Sequence, residues 1–75
     1  MSRRRTRERR VGEVVVAVDR DADGQPCGTV LQHQGRRWII DAWPDRIAAV
    51  EPRNGALVVR LDNGSSRLLD RWDAA

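Results

Sequence analysis

The sequence predicts a small all-β domain behind a disordered, arginine-rich N-terminal segment. Three observations support this: a length of 75 residues, positive charge concentrated in residues 1–10, and short apolar runs that alternate with a period of two between turn residues. A chain of this length buries only about 60% of its unfolded surface, so it has room for one domain with a thin core. We therefore expect a tail over residues 1–10 and a folded body over residues 11–75.

The net charge of +3 is unevenly distributed along the chain. Residues 11–75 hold eight arginines and ten acidic residues, a net charge of −2. Residues 1–10 carry a net charge of +5, from Glu8 and six arginines: Arg3, Arg4, Arg5, Arg7, Arg9 and Arg10. Like charges at this density repel one another, and such segments are usually disordered. A polyanion would therefore meet the tail before the body.

Apolar alternation and turn dipeptides predict the strands of the body. In the clearest strand Leu57, Val59 and Leu61 face the core while Val58 and Arg60 face outward. Asp-Gly and Asn-Gly pairs at residues 23–24, 54–55 and 63–64 mark tight turns. The predicted strands span residues 12–19, 29–34, 37–43, 56–62 and 65–69. Five or six short antiparallel strands of this kind are typical of a meander that closes into a barrel-like, SH3-like module, since closure removes exposed edges.

Residues 45–51 are ambiguous between a strand and a helical turn. Ile47 and Val50 have helical spacing, and Pro44 suits a first helical turn. Seven residues between Pro44 and Pro52 nevertheless make a poor helix. A short strand is the favoured interpretation.

Motifs that would indicate catalysis or a bound metal are incomplete in this sequence. Asp19, Asp21, Asp23 and Gly24 match the first half of a calcium-binding loop, but Val30 occupies the position of the closing glutamate. This pattern favours an acidic hairpin loop. Cys27 and His33 are single copies, too few for a zinc site. We expect no enzymatic activity, no cofactor and no metal.

The three tryptophans divide between core and surface roles. Arg36, Arg37 and Trp38 place guanidinium groups beside an aromatic ring, a combination that stacks on nucleic-acid bases. Because the sequence has no Phe or Tyr, Trp38 and Trp72 are also candidates for the core. Trp43, beside Pro44 and Arg46, is the best candidate for an exposed residue, so we assign Trp43 and Arg46 to partner binding.

Residues 12–46 resemble a small uncharacterised family of actinobacterial domains. The resemblance is carried by Gly12-Glu13-Val14, by Asp23-Gly24 with Pro26, and by Gly35-Arg36 with Trp38; residues 57–62 and 71–73 fit more loosely. This sequence departs from the family in its second strand, which has Leu31 and His33 instead of aromatic residues, and in its longer tail. The resemblance implies a β domain and a link to nucleic-acid metabolism.

Two functional hypotheses follow. The leading one is a non-enzymatic, nucleic-acid-associated accessory module that contacts phosphates through its tail, with a second contact at Arg36, Arg37 and Trp38. The alternative is a protein-interaction module that binds an acidic surface or another partner through a strand edge or the Trp43 region. No apolar run reaches the roughly 18 residues of a membrane span, and we expect a soluble, cytoplasmic protein. The sequence leaves the choice between DNA and RNA and the oligomeric state open.

Overall fold

A computed structural model describes residues 8–75 and shows an all-β protein. The only helical element among these residues is a short 3-10 turn, Pro44–Arg46. The strands are β1 (Arg9–Val11), β2 (Val14–Arg20), β3 (Pro26–His33), β4 (Arg36–Ile40), β5 (Ile47–Arg53), β6 (Ala56–Leu61), β7 (Ser66–Leu69) and β8 (Asp73–Ala74).

The strands form two antiparallel sheets. The larger sheet has the order β1-β2-β3-β4-β8, and the smaller has the order β5-β6-β7. The expectation that the strands close into a barrel is wrong, because no strand of one sheet pairs with a strand of the other among residues 8–75. Strand β1 nevertheless lies beside β5, and β4 beside β7. The sheets therefore meet at two seams that lack backbone pairing.

A single apolar core fills the space between the sheets. In the larger sheet, Val16, Leu31 and Trp38 occupy one cross-strand row and are all at most 1% exposed. The smaller sheet contributes Leu57 and Val59, which are fully buried, while Arg60 is exposed. This confirms the alternation predicted for β6. The full cluster comprises Val14, Val16, Leu31, Trp38, Ile40, Ile47, Leu57, Val59 and Leu61.

Side chains fasten both seams. At the β1–β5 seam, Nη2 of Arg9 donates hydrogen bonds to the carbonyl oxygens of Pro44 and Ile47, the latter at 3.1 Å. Beside the β4–β7 seam, Nη1 of Arg67 lies 2.9 Å from Oδ1 of Asp41. The hydrogen bond and the charge of Arg67 hold the pKa of Asp41 below its usual range. Two arginines thus link the sheets where the backbone does not.

The connection between the sheets is anchored by Thr29 of β3, which pairs with Ile40 at the end of β4. The buried hydroxyl of Thr29 donates a hydrogen bond to the carbonyl of Ala42, which fixes the start of the connection. Gly28 has a φ of 156°, and a Cβ there would lie 2.6 Å from the carbonyl oxygen of Ile40. Only glycine allows this close approach of backbone to backbone.

Several boundaries differ from those predicted. Arg9 and Arg10, which the sequence analysis assigns to the disordered tail, lie in β1 because their backbones pair with Val16 and Val15 of β2. The prediction of disorder for residues 1–7 lies outside the described residues. The favoured strand over residues 45–51 is confirmed from Ile47 onward, after the 3-10 turn.

Replacing Val59 with Asp is expected to unfold the protein. Val59 is fully buried in the shared core, and an unpaired buried carboxylate costs several kcal/mol, comparable to the stability of a small domain. Val58→Asp is the matched control, since the neighbouring Val58 is only half-buried and faces the other side of the sheet. Urea unfolding followed by tryptophan fluorescence measures both variants. A cooperative transition at the wild-type midpoint for Val59→Asp would contradict the core assignment.

Candidate functional site

The structure divides the arginines assigned to nucleic-acid binding. Arg3, Arg4, Arg5 and Arg7 lie outside the described residues. Arg9 is engaged at the β1–β5 seam, so its guanidinium is part of the fold. Arg10 is exposed on the outer face of the larger sheet.

The predicted cluster of Arg36, Arg37 and Trp38 does not form one surface. Successive side chains of a strand point to opposite faces, so Arg37 faces outward while Arg36 and Trp38 face the other sheet. Trp38 is 1% exposed, and its indole nitrogen has no hydrogen-bond partner among residues 8–75. The assignment of Trp38 to nucleic-acid binding is therefore wrong, because the ring fills the core and offers no face for stacking.

Trp43 is exposed, as predicted, with 49% of its surface accessible. The neighbouring Arg46 is also exposed, and its Nη1 lies 3.5 Å from Oδ1 of Asp62. These residues line a shallow depression of about 220 Å³ between the connection and the end of β6. Trp43 and Arg46 thus share one surface, with one charge of that surface already paired.

A larger open groove, which we call the β4 groove, lies at the edge of β4 that faces away from β3, between the pairing with β8 and the β4–β7 seam. Strand β8 pairs with β4 only at Arg36 and Arg37, and the chain from Asp70 to Trp72 stands away from the rest of β4. The resulting groove has a volume of about 640 Å³, within the range of about 300–1,000 Å³ typical of ligand sites. Its lining residues are Arg37, Ile39, Asp70, Arg71, Trp72 and Asp73.

Ile39 pairs with Val30 of β3 on one side, but on the side that faces this groove its backbone has no strand partner among residues 8–75. His33 and Arg36 flank a two-residue hairpin turn, so they form a hydrogen-bonded pair. Alternation along the strand then directs the N–H and C=O of Arg37 and Ile39 away from β3. The bond from the amide of Ala75 to the carbonyl of Gly35 lies on this same side. Within residues 8–75, strand pairing on this side of β4 ends at Arg37, which leaves the donor and acceptor of Ile39 open.

Exposed apolar side chains accompany this open backbone. Ile39 is 53% exposed and Trp72 is 44% exposed. The guanidinium carbon of Arg36 lies 4.5 Å from the centroid of the Trp72 ring, a cation–π contact that holds the indole in place. Trp72, expected to pack against the body, is thus fixed by Arg36 while much of its surface stays accessible.

The charges of the β4 groove are balanced. The two positive charges of Arg37 and Arg71 equal in number the two negative charges of Asp70 and Asp73, and all four residues are exposed. Among the described residues, none of these four side chains has an opposite charge within 4.0 Å. The groove therefore offers two positive and two negative groups to a ligand.

Other groups suggested by the sequence have local roles. Oδ1 of Asp21 accepts hydrogen bonds from the amides of Asp23 and Gln25, which closes the acidic hairpin loop. Partial desolvation, followed by the charge of Asp19, raises the pKa of the Cys27 thiol, so this thiol is a poor nucleophile at neutral pH. His33 lies 3.7 Å from Glu13. Residues 8–75 contain no group of three side chains placed to hold a metal ion.

Sequence reasoning missed the β4 groove because no residue motif marks a gap between strands. The one usable signal was local: Arg71-Trp72-Asp73 places an aromatic between opposite charges after the last predicted strand. Ile39 lies on the opposite face of β4 from Trp38 and Ile40, as alternation along a strand requires. Its open backbone follows from β8 pairing with β4 only at Arg36 and Arg37, which alternation cannot predict.

Comparisons with known proteins add no assignment. No protein family, curated protein or solved structure matches this chain. The resemblance to actinobacterial domains thus stays a prediction. Over residues 8–75, none of the helical structure is long and apolar enough to cross a membrane.

Proposed function

We propose that this protein is a non-enzymatic interaction module that receives an extended segment of a partner protein in the β4 groove. The observation that supports the proposal concerns Ile39. Its side chain is 53% exposed, and its backbone N–H and C=O have no strand partner on the groove side among residues 8–75. A peptide bound along a free strand edge uses such backbone groups for affinity and neighbouring side-chain contacts for specificity.

The surroundings of Ile39 suit this mode of binding. Trp72 offers a large ring for contact, and binding to it costs little conformational entropy because Arg36 already holds the ring in place. The balanced charges of Arg37, Arg71, Asp70 and Asp73 suit a polypeptide with mixed charges better than a polyanion. Both features favour a protein partner at this site over a nucleic acid.

We also propose that the two sheets are halves of an opened, SH3-like barrel. The contacts between β1 and β5 and between β4 and β7 place the strands in a nearly cyclic order. A cytoplasmic location is proposed on chemical grounds. Cys27 is the only cysteine of the sequence, so no intrachain disulfide contributes to the fold.

Peptides selected from a phage-displayed library of random sequences test the β4 groove. Those that bind the wild-type protein are expected to lose at least about tenfold in affinity with Ile39→Lys or Trp72→Ala, because both changes remove exposed apolar contacts of the groove. Trp43→Ala is the matched control, since Trp43 is similarly exposed but lies on the separate Arg46 surface. Fluorescence anisotropy gives the dissociation constants, and thermal melts verify folding.

Three outcomes of this selection would contradict the proposal. If no peptide is selected, or if Ile39→Lys binds as the wild type does, the β4 groove is not a peptide site. If Trp43→Ala alone abolishes binding, the partner site is the surface of Trp43 and Arg46 instead.

A second candidate function, contact with nucleic-acid phosphates, is favoured by the charge of the N-terminal segment. Residues 1–7 contain Arg3, Arg4, Arg5 and Arg7 and no acidic residue. Residues 8–75 hold ten arginines and eleven acidic residues, so this part of the chain has a net charge of −1 and would not attract a polyanion. We propose that these four arginines carry any such binding, without base specificity.

Salt-dependent gel shifts test this candidate. With four arginines engaged on duplex DNA, the log–log slope of affinity against salt is expected near −3 to −4. Replacing Arg3, Arg4 and Arg5 with Ala should reduce the slope by about two to three units and leave the melting temperature unchanged. The absence of any shift at low salt, where electrostatic attraction is strongest, would exclude the candidate.

A further inference from the structure

We propose that the partner bound at the β4 groove is a second copy of this chain, whose own β4 edge is the extended segment, in a two-fold symmetric dimer. This inference rests on the function proposed above and names the occupant of that site. It starts from the charges of the groove and from the symmetry that a dimer of identical chains requires.

A two-fold interface places one surface against an identical copy of itself, so the surface must be complementary to itself. The charges of the β4 groove are compatible with this condition, since Arg37 and Arg71 are matched in number by Asp70 and Asp73. A surface of one sign would repel its own copy, whereas a surface with both signs allows a two-fold axis that places the arginines of one copy against the aspartates of the other. The absence of ion pairs within 4.0 Å at these four residues, among residues 8–75, leaves their charges available for such contacts.

Burial of the apolar part of the groove would stabilise the dimer. Ile39 and Trp72 are two of the four exposed large apolar side chains of the described residues, and both line this one groove. Covering them on both copies removes four large side chains from water in each dimer. The other two, Trp43 and Leu68, are not part of the groove lining.

Charge reversal provides the sharpest test. A variant with Arg37→Asp and Arg71→Asp has four acidic groups in the groove, and a variant with Asp70→Arg and Asp73→Arg has four arginines. Each variant alone is expected to repel its own copy and to lower the dimer association constant at least about tenfold. An equimolar mixture of the two is expected to restore dimers, because each groove then meets one of opposite charge.

Sedimentation equilibrium of the full chain, from about 10 μM to about 1 mM, measures these constants. The wild type should show concentration-dependent dimers, and Arg60→Asp, an exposed charge reversal on the other sheet, should behave as the wild type does. A monomeric wild type throughout this range, dimers that persist in both reversed variants, or a mixture that stays monomeric would each overturn the proposal.

The test separates this proposal from the one on which it rests. A protein that is monomeric at all concentrations but binds groove-dependent peptides retains the proposed function, and its partner is then another protein. A protein that neither dimerises nor binds such peptides loses both assignments.

Discussion

The structure depends on one apolar core that joins two sheets, between which residues 8–75 form no strand pairing. Trp38 is the largest side chain of that core and is 1% exposed. Truncating a buried tryptophan costs about 3–5 kcal/mol, a large part of the roughly 5–15 kcal/mol that stabilises a small domain. Because the sequence has no Phe or Tyr and Trp43 and Trp72 are exposed, Trp38 is the only aromatic side chain in the core of residues 8–75. Side chains therefore matter more at the seams here than in a closed barrel, where strand pairing is continuous.

The need to join the two sheets through side chains determines which arginines remain available to bind a ligand. Arg9 and Arg67 link the sheets, and Arg36 holds Trp72, so three guanidinium groups serve the fold. Arg37 and Arg71 have no such role and stand in the β4 groove. The same architecture creates that groove, since β8 covers only the first two residues of β4. Fold and candidate site thus share one cause: strand β4 has continuous pairing on one edge only.

The strand faces and turns that depend on local residue patterns could be predicted from the sequence. The strand of Leu57, Val59 and Leu61 was predicted because a period of two specifies which face is buried. The predicted Asn54–Gly55 turn has positive φ at both positions, the backbone that two-residue hairpins require. The end of the tail was predicted wrongly because Arg9 joins β1 through backbone pairing. The charge of a side chain does not indicate whether its backbone pairs with a strand. Trp38 was assigned two incompatible roles, and only the position of the second sheet decides between them.

The role of Arg9 is the point at which this account differs most from one based on charge alone. Arg9 and Arg10 are adjacent, exposed and identical in charge, but only Arg9 bonds across the seam, to the carbonyls of Pro44 and Ile47. The most direct test compares Arg9→Ala with Arg10→Ala by urea unfolding. The account predicts that Arg9→Ala lowers the free energy of unfolding by about 1–2 kcal/mol, while Arg10→Ala changes it by less than about 0.5 kcal/mol. Equal stabilities of the two variants would contradict it, because the Arg9 side chain would then contribute nothing to the β1–β5 seam, which would be held by the core alone.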